Sequence, residues 1–378
     1  MAEEDAATEP TDTRTPATAG ATARRSRDRE DMPRARLTRR RLLASALFVV
    51  CSVAFLYFVL PKLLGLRETW NRLEQGNLWW LGLAAVLEVC SFLGYIALFR
   101  GVFADVPRID WRASYEITMA GLAATRLFAT AGAGGIALTA WALRRAGLGA
   151  RVAACRLIAF MVLLYAVFMA ALVVAGVGLY VGLFPGRAPF AITIVPAIFG
   201  ATVIAMFVAV ALLPRDFESL VRRATAGEGR LGGLARQLAA ASATAATGVR
   251  TAIDLVRSRD PYLLGAIAWW GFDIAVLWAC FHAFGASPPK AVIVMSYFVG
   301  MIGNTLPLPG GIGGVDGGMI GAFVAFGIDA EVAVVAVLAY RAFAFWLPTL
   351  PGAVAYLQLR RTMHRWRAEP TPALHGAG

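Results

Sequence analysis

The residues with the most chemical capacity lie near the C-terminal end. They form the run Leu306-Pro307-Leu308-Pro309-Gly310-Gly311-Ile312-Gly313-Gly314-Val315-Asp316-Gly317-Gly318, followed downstream by Arg341. Two prolines interrupt a helix here, and the glycines leave backbone N–H groups open to close approach. Asp316 opens a second short helix. The N–H groups of Gly310, Gly311, Gly313 and Gly314 sit at the positive end of that half-helix and make an anion site. Arg341 adds a planar fork that grips a phosphate or a carboxylate at two points. The combined chemistry is anion binding. A carboxylate beside that site repels a phosphate, so Asp316 either orients Arg341, meets a cationic headgroup, or caps its own helix. An Arg341–Asp316 pair that only locks the broken helix to the last span is the structural alternative.

A second glycine run, Ala131-Gly132-Ala133-Gly134-Gly135, follows Arg126 and repeats the theme, with Gly134, Gly135 and Arg126 as its candidate ligand contacts. Arg126 could equally pair with Glu88. Glu88 and Asp273 stand alone near the centres of apolar stretches, where a charged side chain costs roughly 2.5–3.5 kcal/mol and calls for a partner or a role. If desolvation raises their pKa values, they are candidates to couple a process to the proton gradient; otherwise they serve as hydrogen-bonding groups between helices. Trp269, Trp270 and Trp278 on the same stretch read as packing or interfacial anchors in preference to a lipid-tail groove.

Other chemistry has no visible equipment. Cys51, Cys90, Cys155 and Cys280 are widely separated in apolar segments, and His282, His364 and His375 have no metal-binding spacing. No Gly-x-Ser-x-Gly or phosphate-loop signature occurs, so no cofactor or metal is expected.

The elements that position these residues must cross a membrane. The chain is 58% hydrophobic and 16% charged over 378 residues, which excludes a soluble globular protein. Its net charge of +12 comes from arginines between apolar segments, not from one basic face, so no nucleic-acid partner is expected. Residues 1–41 read as a disordered basic tail, and the Thr38-Arg39-Arg40-Arg41-Leu42-Leu43 run as the flank of a first span, since no cleavage site follows it. Apolar segments at 42–60, 78–99, 157–182, 190–213, 261–284 and 332–357 each reach the length of a helical span. Segments 114–143 and 291–327 are instead divided by the two glycine runs, and each half is too short for a full crossing. Irregular backbone at that depth must be surrounded by protein or line a cavity.

Charge sets the topology. Pieces assigned to the cytoplasm hold 29 basic residues and exterior loops hold 5, with both termini inside. Arg100, Arg108 and Arg112 precede the first broken segment and Arg144, Arg145, Arg151 and Arg156 follow it, which makes it a hairpin entering from the cytoplasm. Lys290, Asp329 and Glu331 flank the second, a hairpin entering from outside. A shift of 179 residues lays Gly121 on Gly300, Leu127 on Leu306, Gly132 on Gly311 and Gly134-Gly135 on Gly313-Gly314. The predicted fold is an all-α polytopic membrane protein of about six full spans and two re-entrant hairpins in an inverted repeat, eight helical segments in all. The transmembrane domain runs over 42–360, with halves at about 78–156 and 261–357 and a tail at 361–378. Segment 214–260, with Leu231, Leu234 and Leu238 on one face, reads as an amphipathic helix on the inner leaflet or as an elbow between halves.

Pro307-x-Pro309-Gly310-Gly311-x-Gly313 with an acid three residues on, then Gly327 and Tyr340-Arg341, resembles the lysylphosphatidylglycerol synthase transmembrane-region family, also called flippase-like membrane proteins. Gly134-Gly135 with Trp141-x-Leu143-Arg144-Arg145-x-Gly147 resembles that family's first signature, though it lacks the usual proline and acid and has Ala137 at the matching position. Asp316 stands where family members commonly carry Glu. Lipid-modifying members append a soluble catalytic domain, and this chain ends soon after its last span. The resemblance therefore implies the part associated with moving a lipid headgroup, without enzyme activity.

The expected function is a lipid flippase or lipid-headgroup transporter of the bacterial inner membrane, acting on a phospholipid or a polyprenyl-phosphate-linked lipid. A non-catalytic partner of an envelope-synthesis enzyme and a membrane-embedded transferase using Asp316 or Asp273 as base are the alternatives. Oligomeric state is not legible in the sequence. The topology is testable with single cysteines in a background lacking the native ones. Cysteines replacing Arg112 and Arg151 should be labelled only from the cytoplasm, and those replacing Lys290 and Asp329 only from outside. Labelling from opposite sides within either pair contradicts the hairpins.

Overall fold

The computed structural model of the protein describes residues 76–127, 133–212, 230–305, 311 and 313–368. All regular structure among them is helical. Helix α1 (Leu78–Val102) starts where the Asn77 side chain accepts the Trp79 N–H at 3.0 Å. It pairs antiparallel with α7 (Gly265–Ala283), which continues from a 3₁₀ turn at Pro261–Leu264. Asn77 N–H donates to the Ala283 carbonyl at one end of the pair, and Gly101 lies on Tyr262 at the other. Between them Gly94 and Gly265 let the backbones touch: a Cβ on Gly265 would come within 2.2 Å of the Gly94 carbonyl oxygen. Close approach through small residues is how apolar helices gain packing energy where lipid competes for every apolar face.

Both divided segments fold back on themselves. Helices α2 (Trp111–Leu127) and α3 (Ala133–Arg145) lie antiparallel, with Gly135 against Gly121 and Thr125, and Gly121 near Thr139. Helix α8 (Lys290–Met301), extended by a 3₁₀ turn at Ile302–Thr305, pairs likewise with α9 (Gly314–Ala325). Here Gly303 rests on the Gly314 backbone and Gly300 on Met319. The long helix α4 (Ala150–Tyr180) follows the first hairpin, and α10 (Ala330–Arg341) follows the second. A π-helical turn (Ala342–Trp346) joins α10 to α11 (Leu347–Ala368). Corresponding helices start 179 residues apart for α2 and α8, 181 for α3 and α9, and 180 for α4 and α10.

The long helices cross over to the other hairpin. Helix α4 packs on α8, whereas α11 packs on α2, with Gly352 against the Met119 carbonyl and Ala123. Helix α5 (Phe190–Leu212) lies along α4 through Gly176 and Gly200. Its outer face exposes Val195, Ile198, Phe199, Met206 and Val208, an apolar surface that water would not tolerate and lipid would. Five helical stretches, 78–102, 150–180, 190–212, 261–283 and 330–366, are long and apolar enough to span a bilayer. This is an integral, multi-pass membrane protein. The segment predicted to span at 42–60 lies outside the described residues, as does the predicted tail before it.

Contacts sort the molecule into two ends. Arg108 donates to the Arg145 carbonyl and stacks over Trp366, Arg156 pairs with Asp105, and Arg112 with Glu116. The first hairpin opens at this basic end. Arg156 holds the Asp105 carboxyl below the usual carboxylate range, against the opposing effect of burial. At the far end, Gly186 meets Val292, and Gly327, with φ +85°, lies under the Arg187 side chain. The second hairpin opens there.

Two boundaries differ from the sequence reading. Helix α4 begins at Ala150, not 157, because its first two turns carry Arg151 and Arg156, and Arg156 is held by Asp105. The last helix runs to Ala368, where a tail was expected from 361; Arg360, Arg361 and Arg365 are good helix formers and suit a helix C-terminus. Segment 214–260 contains α6 (Arg230–Ser258), a helix packed along α4 where Gly248 meets Cys155 and Ile158.

The Gly94–Gly265 contact gives a direct test of the packing. Gly265→Val should destabilise the protein by at least about 1–3 kcal/mol, the usual cost of overpacking. Gly271→Ala, on the same helix with nothing within 4 Å of its Cβ, should melt like wild type. Equal melting temperatures for both variants would contradict the contact.

Candidate functional site

Arg341 is the last residue of α10, and only 8% of its surface is exposed; Asp316, in the first turn of α9, is fully buried. The Arg341 Nε lies 2.6 Å from Asp316 Oδ1. The other carboxylate oxygen, Oδ2, accepts the Gly313 N–H at 2.7 Å. One carboxylate therefore neutralises the buried guanidinium and caps α9, and it ties the second hairpin to the last span. The Arg341 guanidinium also stacks 5.9 Å from the Phe345 ring, within the π-helical turn.

The start of α9 has the backbone an anion needs. Gly313 precedes it at φ +85°, a conformation side chains with a Cβ resist. The first intrahelical bond runs from Gly317 N–H to the Gly313 carbonyl, so the N–H groups of Gly314, Val315 and Asp316 have no acceptor within their own helix. A Cβ on Gly313 or Gly317 would meet nothing within 4 Å, so the chain leaves open space beside this helix start, while Gly303 packs against the Gly314–Val315 peptide.

Asp273 belongs to a second polar centre next door. Tyr297 and Tyr340 both donate to its Oδ2, at 2.5 Å and 3.2 Å, and both rings are almost completely buried. Tyr340 precedes Arg341, so adjacent residues of α10 hold Asp273 on α7 and Asp316 on α9. Glu88 is buried on α1, within electrostatic reach of Tyr340 and Cys280. Sequence reading missed Tyr297 and the role of Tyr340, because a tyrosine in an apolar helix gives no sign of which acid it will meet. It also missed Glu116, fully buried and paired with Arg112 at 2.9 Å one turn away.

The other predicted contacts fall in several places. Gly311 is buried at φ +65°, its α-carbon against Asn304 and Val315. Gly135 presses on the Gly121 backbone, so hairpin closure alone requires it to be small, and the Gly314 backbone is what Gly303 presses on. Gly134 lies in the first turn of α3. Gly310 and the Arg126 side chain lie outside what the structure describes, so the proposed Arg126–Glu88 pair is not visible. Trp270 donates to the Leu164 carbonyl at 2.8 Å and packs on Phe168, Trp269 packs on Phe92 and Tyr95, and Trp278 on Trp80 and His282. All three pack against protein. Among the described residues no cluster of three or more His, Cys, Asp or Glu side chains could hold a metal ion.

A sequence model of the lysylphosphatidylglycerol synthase transmembrane region matches residues 41–352, a stretch that includes Asp316, Arg341 and both hairpins. The chain belongs to this family. Two curated matches in Methanothermobacter thermautotrophicus, each described as a UPF0104 membrane protein, are 31% identical over 112 residues and 32% identical over 94. These matches cover 29% and 25% of this chain, and 32% and 28% of the relatives' own lengths. In this chain the Arg341–Asp316 pair has a measurable signature. Arg341→Ala or Asp316→Ala should each cost about 3–5 kcal/mol, because either strands a buried charge. The double variant should cost clearly less than the two added together. Strict additivity in thermal unfolding would show that the two do not interact.

Proposed function

We propose that this protein is a lipid flippase or lipid-headgroup transporter of the bacterial inner membrane, without enzyme activity of its own. It holds a lipid phosphate between the start of α9 and Arg341. The observation that carries this reading is a buried arginine facing the glycine-rich start of a broken helix, deep in an apolar protein. Charged groups at such depth mark substrate pathways, and the paired N–H groups and guanidinium suit phosphate chemistry. Family membership supports a lipid-related membrane role.

The two hairpins, opening at opposite ends of the molecule, and the near-constant 180-residue offset support an inverted repeat with about six spans and both termini cytoplasmic. In that arrangement halves rock about a midplane site. The basic end faces the cytoplasm by the positive-inside rule. Glu88 and Asp273 are the coupling acids of this scheme. The family's name points to an aminoacylated phospholipid, while the chemistry of the site specifies only a phosphate, carried by a phospholipid or by a polyprenyl-phosphate-linked lipid. A transferase using Asp273 as base gains positioned groups in Tyr297 and Tyr340, but both hydroxyls fill one carboxylate oxygen within a closed core. A scaffold for an envelope-synthesis enzyme would tolerate changes at Asp316 and Arg341.

Headgroup accessibility of a labelled lipid in proteoliposomes tests this directly. Arg341→Lys keeps the charge but loses the two-point grip, and Gly313→Val fills the space before the donors and strains φ. Each should slow transport by about tenfold or more, the equivalent of one lost charge-assisted hydrogen bond. Unchanged transport in both folded variants would move the site elsewhere and favour the scaffold.

A further inference from the structure

We infer that Asp316 is an internal counter-anion that occupies the phosphate site when it is empty and is displaced when the ligand binds. This rests on the phosphate-site reading above and adds its regulation. Two of the groups placed to hold a phosphate are already engaged, and by one carboxylate: Oδ1 of Asp316 holds Arg341, and Oδ2 holds the Gly313 N–H. Both side chains are buried, so an empty site without Asp316 would deprive a guanidinium of its carboxylate partner in an apolar interior. A phosphate brings its own negative charge to the same donors. Two anions held at the same donors repel each other, and little water is there to screen them. Arg341 therefore exchanges one anion for the other, and the open space beside Gly313 and Gly317 admits the incoming group.

The exchange also has a mechanical result. The Asp316–Arg341 bond is the charged tie between α9 and α10, and the π-helical turn begins immediately after Arg341. Releasing Asp316 frees the second hairpin from the last span only when a ligand has replaced it. That ordering prevents the halves from rocking around an empty, charged site.

The test compares wild type, Asp316→Asn and Asp316→Asn/Arg341→Gln in dodecyl maltoside, a detergent without phosphate, with dioctanoyl phosphatidic acid as the probe. Asp316→Asn keeps a side-chain acceptor for Gly313 and removes the competing charge. It should bind the probe at least tenfold more tightly than wild type, and its melting temperature should rise more steeply with added probe. The double variant should lose binding. If the double variant binds as well as wild type, the phosphate site itself is wrong. If the double variant loses binding while Asp316→Asn binds no more tightly than wild type, the site stands, the exchange is overturned and Asp316 touches the ligand directly.

An Asp316→Asn protein that folds only with the probe present supports exchange. One that unfolds even with the probe present overturns it, because the phosphate then fails to replace the charge of Asp316.

Discussion

A charge placed deep in an apolar protein has to be neutralised where it stands, and Asp316 does this for Arg341. The consequences spread outward from that contact. Because Asp316 must lie at the end of α10, α9 starts where it does, at the end of a proline- and glycine-rich break. Its second oxygen takes the N–H of Gly313, a glycine at positive φ. Arg341 is fixed in turn by its neighbour Tyr340, which holds Asp273 on the helix paired with α1. The polar centre thus draws on α7, α8, α9 and α10 at once, and moving any one of them disturbs the rest.

The frame around it follows from what a bilayer allows. Neither hairpin can cross alone, so each folds back and presses its backbones together through glycine, Gly121 with Gly135 in one and Gly303 with Gly314 in the other. The long helices that follow each hairpin pack against the opposite one. Such cross-packing joins each hairpin to the helices that follow the other.

Much of this was legible in the sequence because lipid-facing helices leave strong length and hydropathy signals. The segments read at 78–99, 190–213 and 261–284 match helices at 78–102, 190–212 and 261–283 within three residues. Of the aligned glycines, Gly121, Gly135, Gly300 and Gly314 lie at hairpin contacts but not with the same partners: Gly121 meets Gly135, whereas Gly300 meets Met319 and Gly314 meets Gly303. What those glycines are for was not legible: a ligand and a neighbouring backbone both demand a missing side chain. The pairing of Arg341 with Asp316 was one of several readings open, since hydropathy records that a charge is buried and not what it faces. Tyr297 carried no signal, because its partner Asp273 lies 24 residues away on another helix. Boundaries failed where polar turns extend helices beyond the bilayer, at Arg151 and again past Arg360.

The central claim is that Arg341 anchors a lipid phosphate. Native mass spectrometry of the protein released from mild detergent, with fragmentation of whatever lipid remains bound, tests it most directly. Wild type should retain a phosphate-bearing lipid, and Arg341→Gln, recovered folded, should lose it while keeping its loosely attached annular lipid. Equal retention of the same lipid by both proteins would contradict the account.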